Sequence, residues 1–168
     1  MNLAEKVRQA GVVGAGGGGF PTHVKLNAKA DTVIANGAEC EPLLHKDAVI
    51  MEESAAELVR GMQLAMEAVG AKEGVIGIKG KKKHAVAAVT EASRGTNVRV
   101  QLLGDYYPAG DEYDLVYNVT GKLIPPGGIP IAVGVVVNNV ETFVNIAAAH
   151  DGRPLTHKML TIAGAVKS

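Results

Sequence analysis

Cysteine occurs once in this 168-residue chain, at Cys40. No internal disulfide is possible. An iron–sulfur cluster normally takes four cysteine ligands, so this chain alone cannot hold one. Cys40 itself reads as a small buried residue or as a reactive thiol. An excess of charge is also missing: 17 basic side chains balance 17 acidic ones, for a formal net charge of +0. Nucleic-acid binders carry a basic excess, so none is expected as a partner. No apolar run reaches the ~18 residues that would cross a bilayer, and Met1-Asn2-Leu3-Ala4-Glu5-Lys6 lacks the apolar core of a signal peptide. A cytoplasmic protein without membrane contacts of its own is the expectation. His23, His45, His84, His150 and His157 show no metal-ligand spacing, and no Ser–His–Asp set or Gly-x-Ser-x-Gly elbow is present. Neither a metal centre nor nucleophilic hydrolysis is predicted.

What remains is a globular composition, 47% hydrophobic, of a length that suits one domain with a real core. Helical spacing marks Leu3–Gln9 and Glu52–Val69, the second stopping before Gly70. Helices are also expected over Lys82–Ser93, Asp111–Val119 and Asn139–His150, with Asn139 as a cap. Strands are predicted at Asp31–Asn36, Gly74–Lys79, Asn97–Leu103, Gly134–Val137 and Met159–Ala163. This alternation predicts an α/β fold: an open, mostly parallel sheet flanked by helices, with both faces covered because the strands are apolar. Gly121–Pro130 reads as an irregular loop. The ending Gly164-Ala165-Val166-Lys167-Ser168 brings no terminating element and reads as a fragment boundary.

Against that background stands Gly14-Ala15-Gly16-Gly17-Gly18-Gly19, followed by Phe20-Pro21-Thr22. Glycine loses more backbone entropy on ordering than any other residue. Such a run is either a mobile linker or a place where backbone N–H groups meet an anion, most often a phosphate. The stiff exit at Phe20-Pro21 favours the second. Gly14-x-Gly16-x-x-Gly19 formally matches the dinucleotide fingerprint, but no strand precedes it and Asp31 begins the next strand instead of ending it. The loop is thus Rossmann-like without being the standard turn, and Lys25 is near enough to supply a cation.

Three other segments carry polar groups suited to a ligand site. Asn36-Gly37-Ala38-Glu39-Cys40-Glu41-Pro42 follows a strand, where open α/β sheets bind ligands, although a polar turn would look the same. Tyr107-Pro108-Ala109-Gly110-Asp111-Glu112 leads into a helix whose dipole alone would account for both acids. Val137-Asn138-Asn139-Val140-Glu141-Thr142 delivers two adjacent amides to a strand end. Capping explains Asn139 but not Asn138, and amides can donate and accept along a flavin or base edge.

These motifs, in this order, resemble the flavin- and NADH-binding domain shared by the 51-kDa subunit of complex I and the C subunit of the Rnf electron-transport complex. The wording His23-Val24-Lys25-Leu26, Glu39-Cys40-Glu41-Pro42 and Tyr107-Pro108-Ala109-Gly110 is similar to the Rnf branch. It is closer still to the cobalamin reductases of propanediol-utilising microcompartments. The resemblance spans nearly the whole chain. It implies a single FMN/NADH-binding domain over residues 1–168, a piece of a longer protein whose β-grasp-like and iron–sulfur regions would follow. It implies FMN as cofactor and NADH as substrate, with electrons passed to an iron–sulfur or cobalamin-dependent partner. The location would be cytoplasmic, inside a microcompartment or at the edge of a membrane complex.

By the same resemblance, Gly14, Gly16, Gly17, Gly19 and Lys25 hold the flavin phosphate and ribityl chain. Asn36, Glu39, Asn138, Asn139 and Thr142 contact FMN, and Tyr107 borders it. Phe20, Glu41, Asp111 and Glu112 face NADH. No residue is expected to act as a general base, because the cofactor carries the hydride. Ala38 and Ala15 stand where complex I has an acid and an arginine. Phe20 is one of only two phenylalanines available to sandwich a nicotinamide. Two other readings are an FMN-binding or assembly domain that has lost NADH oxidation, and a direct cobalamin carrier; the usual His-bearing cobalamin loop of the latter is missing.

Overall fold

Four short runs rich in valine and isoleucine form one parallel sheet in the computed structural model, which describes residues 1–166. The strands are β1 (Thr32–Gly37), β2 (Glu73–Lys79), β3 (Val98–Leu103) and β4 (Val135–Asn139), ordered β3-β2-β1-β4. Helices α1 (Leu3–Gln9) and α2 (Thr22–Leu26) precede the sheet. Between β1 and β2 lie α3 (Lys46–Glu53) and α4 (Ala55–Val69). Helix α5 (Lys83–Ala92) links β2 to β3, α6 (Glu112–Thr120) follows β3, and α7 (Val140–His150) follows β4. The predicted open α/β architecture is the one found, and every strand pair is parallel.

Period-2 alternation splits the buried strand residues between two cores. Val33, Ala35, Ile76, Ile78 and Val136 face the larger one, packed by α1, α3, α4, α5 and α7. Ile34, Val135 and Val137 face the smaller one, closed by Leu115 and Val116 of α6 and by Ile124. Helix α4 meets α7 at Gly61, so closely that a Cβ there would lie 1.9 Å from the Phe143 carbonyl oxygen.

Several expectations need correction. The helix predicted over Glu52–Val69 is two helices, because Ser54 leaves helical geometry at φ −129°, ψ 32°. Helix α2 and the 3-10 turn at Pro130–Val133 were not predicted. Residues Met159–Ala163 form no strand; they bond to Glu141 and to His45, and Leu160 and Ile162 are exposed. Strand β3 is an edge and is not apolar throughout: Arg99 and Leu102 are exposed. Asn139 caps α7 as expected, its Oδ1 accepting from Glu141 N–H, while Asp111, expected in the first turn of α6, is its cap, with Oδ1 accepting from Tyr113 N–H.

Candidate functional site

The chain runs from β1 outward through β2 to β3, then crosses back to β4 on the other side of β1, so the strand order reverses between β1 and β4. Beyond the carboxyl ends of two such strands a crevice opens, which is where open α/β sheets bind ligands. Asn36 of β1 lies in register with Asn139 of β4, and Ala35 with Asn138. A cleft of about 500 Å³ sits there, lined by both strand ends, the glycine loop, the Tyr107–Glu112 segment and the start of α3.

The glycine loop is not part of a strand-to-helix turn. A single antiparallel bridge joins Val13 to Pro21, and Gly14 N–H bonds to Phe20 C=O at 2.8 Å, closing the loop at its base. Ala15 N–H donates to Thr142 Oγ1 of α7 at 3.0 Å. Gly16 packs so close that a Cβ would stand 3.3 Å from Asn139 Cβ. Gly17 and Gly19 have φ of +113° and +59°, which L side chains rarely adopt. Among the described residues, the N–H groups of Gly16, Gly17, Gly18 and Gly19 bond to no other protein group. The arrangement is that of an anion cradle. The starts of α3 and α7 also face the cleft and add their positive dipole ends.

Two buried groups in this cleft have an atom that makes no hydrogen bond. Asn138 is 5% exposed, and its Nδ2 makes no hydrogen bond. Glu39 sits at φ +35°; its Oε1 accepts from Asp47 N–H at 2.9 Å, and its buried Oε2 makes no hydrogen bond. Lys82 Nζ stands 3.6 Å from that oxygen. An unpaired buried polar atom costs roughly 1–3 kcal/mol. The unbonded Asn138 amide donor, on a residue that lines the cavity, fits the carbonyl edge of a flavin ring. The open cradle fits its phosphate.

Of the other residues singled out by sequence, Asn36 ties the walls together: Nδ2 donates to Gly110 C=O at 2.8 Å and Oδ1 accepts from Ala38 N–H. Cys40 does the same, its Sγ accepting from Gly110 N–H at 3.0 Å. Lys25 Nζ donates to Val137 C=O at 2.6 Å and lies 5.3 Å from the Phe20 ring centre. Burial pushes the Lys25 ammonium pKa down, and the nearby Glu112 charge partly offsets this. Phe20, Glu41, Tyr107, Asp111 and Glu112 line the outer rim and are exposed. The Asp111 carboxylate is engaged in capping α6. Gly17 and Thr142 do not line the cleft. Thr142 is fully buried and acts on the loop through Ala15 instead of facing a ligand.

Sequence reasoning missed a charged cluster behind the loop. Lys46 lines the cleft with its Nζ 2.8 Å from Asp47 Oδ1 and 2.9 Å from Glu141 Oε2. Asp47 in turn accepts from Asn139 Nδ2 at 2.8 Å. Burial disfavours the Lys46 ammonium, yet the bonds to Asp47 and Glu141 outweigh it and raise its pKa. Burial likewise opposes the Glu141 carboxylate, but Lys158, Met159 N–H and Lys46 hold its pKa below the usual range. Nothing in the spacing of single lysines signals such a cluster, which forms only when α3, α7 and the chain after α7 converge.

The sequence profile of the Nuo51 FMN-binding domain family matches residues 7–148. The chain belongs to this family. It is 50% identical over 165 residues to the cobalamin reductase PduS of Salmonella typhimurium, covering 98% of the chain and 36% of that protein. It is 41% identical over 168 residues to the C subunit of the Na(+)-translocating ferredoxin:NAD(+) oxidoreductase complex of Acetobacterium woodii, covering 96% and 38%. Among solved structures, an NAD+-reducing [NiFe]-hydrogenase in its H2-reduced state superposes with a TM-score of 0.70 at 29% identity, over 88% of this chain and 30% of that one. The chain therefore spans between 30% and 38% of the length of these proteins. Among the described residues, no helix is long and apolar enough to cross a membrane.

Proposed function

We propose that the chain binds FMN noncovalently in the switch-point cleft and serves as the entry module of an oxidoreductase that takes electrons from NADH. The observation that carries this reading is the packing of Gly16 on Asn139 beside the unpartnered Asn138 amide: an anion cradle and a stranded donor share one cavity. Gly14, Gly16, Gly17 and Gly19 form the loop that grips the phosphate, with Lys25 as a nearby cation. Asn36, Glu39, Asn138 and Asn139 supply hydrogen bonds toward the ring and ribityl chain, and Tyr107 borders the ring. Bound FMN would supply the hydride chemistry, accepting two electrons from a dihydronicotinamide and releasing them singly. Phe20, Glu41, Asp111 and Glu112, on the open rim, face the dinucleotide. The onward acceptor is an iron–sulfur or cobalamin centre outside residues 1–168, in a further region of the protein or on a partner, since the one cysteine here cannot hold a cluster.

Titration of the purified chain with FMN, followed by flavin fluorescence, tests the binding. Saturation at micromolar FMN, tighter than for riboflavin, is expected; no saturable binding would overturn the reading. A second reading, FMN binding without NADH oxidation, is favoured by the capping role of the Asp111 carboxylate and the single phenylalanine in the cleft. Anaerobic stopped-flow mixing of the FMN-loaded chain with NADH separates the two. Bleaching of the flavin absorbance supports the first, and its absence the second.

A further inference from the structure

The chain beyond α7 does not pack as an element of the sheet, yet it is tied down at four points. Leu155 N–H donates to Ala10 C=O at 2.8 Å, at the end of α1. Lys158 Nζ donates both to Ala15 C=O at 2.8 Å and to Glu141 Oε2 at 2.6 Å. Met159 N–H donates to Glu141 Oε1 at 3.0 Å, and Thr161 Oγ1 accepts from His45 N–H, just before α3. The segment is a strap that runs from α1, behind the glycine loop, to the start of α3.

Ala15 is the residue on which this strap acts. Its N–H is held by Thr142 and its C=O by Lys158, so both of its backbone polar groups are fixed by side chains from elsewhere. The next four residues are glycines with free N–H groups. Ordering glycines is the costliest backbone ordering there is. A cradle fixed in advance at its first residue leaves less of that cost to be met when a ligand arrives, which tightens binding without adding a contact. Glu141 makes the fixing directional. Its buried carboxylate takes Lys158 and the cleft-lining Lys46 on the same oxygen, Oε2, so loop, strap and α3 share one anchor.

We propose that Lys158 is a positioning residue for the phosphate-binding loop, and that the strap around it sets the domain's preference for a phosphorylated flavin over an unphosphorylated one. This rests on the reading of the loop as the phosphate grip. Lys158 does not itself line the cleft; it acts through the Ala15 carbonyl. A side chain whose role is only to stabilise the fold would weaken both flavins alike. A residue that shapes the cradle weakens only the ligand that carries a phosphate.

The test is the dissociation constant of FMN and of riboflavin for the wild-type chain, Lys158→Met and Lys158→Arg. Lys158 is half exposed, so both variants are expected to fold, which a thermal melt checks. Lys158→Met is expected to weaken FMN about tenfold, the value of one hydrogen bond to a charged donor, and to leave riboflavin unchanged. Lys158→Arg, which keeps the charge and can still donate to both oxygens, restores most of the FMN affinity. Wild-type FMN affinity in Lys158→Met, or an equal loss for both flavins, overturns the proposal. A wild-type chain that holds riboflavin as tightly as FMN would instead overturn the underlying reading of the loop.

Discussion

Gly61→Ala sets two calculable effects against each other. Gly61 lies inside α4, where alanine is the better helix former by about 1 kcal/mol. Propensity alone would make the variant more stable. But the new Cβ would stand 1.9 Å from the Phe143 carbonyl oxygen and 2.6 Å from its carbon. A close C···O contact is about 3.3 Å, so α4 and α7 would have to part by roughly 1.4 Å at their crossing. The obstacle is backbone, which cannot swing aside as the end of a side chain can. Overpacking of this kind costs about 3 kcal/mol or more. The net is a destabilisation of about 2 kcal/mol, or a fall of roughly 4–8 °C in the melting midpoint for a domain of this size. The effect reaches the site as well, because Phe143 follows Thr142, which holds Ala15. Thermal unfolding by circular dichroism measures the first consequence, and FMN titration the second, where a loss of affinity is expected. An unchanged or raised melting midpoint would show that the two helices are not locked at Gly61 and would refute the packing argument.

Three further perturbations address the cleft. Gly17→Ala forces a side chain onto φ +113° with nothing crowding it, so strain alone acts; at about 1–3 kcal/mol it should weaken FMN 5- to 150-fold. Gly18→Ala, in open space at an ordinary φ, serves as the strain-free control, and equal FMN affinity in Gly17→Ala and wild type would count against the cradle. Glu112→Gln should raise the NADH concentration needed for half-maximal flavin reduction by on the order of tenfold, with the FMN dissociation constant unchanged; unaltered NADH kinetics would remove Glu112 from the dinucleotide site. Acid should loosen the anchor behind the loop. The Glu141 pKa is held below its unfolded value, so its contribution is complete above that value and is lost as pH falls below about 4.5. The urea midpoint should drop over that range, and less steeply in Glu141→Gln.

The sheet and the ligand-facing ends of its strands were legible because they rest on local signals. Runs such as Val-Val-Val before Asn138, and glycine after the last apolar residue of α4, carry their meaning within a few residues. Helix α2, five residues long behind Pro21 and without a side-chain cap, has no such signal. The break at Ser54 was hidden because helical spacing continues across it. Met159-Leu160-Thr161-Ile162 has the composition of a strand, but its hydrogen bonds go to Glu141 and His45 instead of a ladder. Lys46 and Lys158 were opaque for a different reason. A lone lysine in sequence defaults to solvent, and only the convergence of α3, α7 and the strap turns these two into parts of one buried anchor.

That anchor bears on how an uncharged domain attracts an anionic ligand. With 17 charges of each sign, the net charge supplies no long-range attraction. Attraction must come from local ordering of opposite charges. Toward the back of the cleft lie free glycine N–H groups, two helix N-termini and the ammonium groups of Lys25 and Lys46. At the mouth lie Glu41, Asp111 and Glu112. The Glu39 and Asp47 carboxylates also line the cleft, but Lys82 and Lys46 pair with them, while those at the mouth have no such lysine beside them among the described residues. An anion is favoured only once it has passed the rim, where contacts are short and poorly screened. A rim of carboxylates favours hydroxyl groups, which can donate to it, over further phosphates, which cannot. On the proposed reading, such a cleft would select ligands by the number and depth of their phosphates more than by their net charge, and the conformation of the six-residue loop would govern that choice.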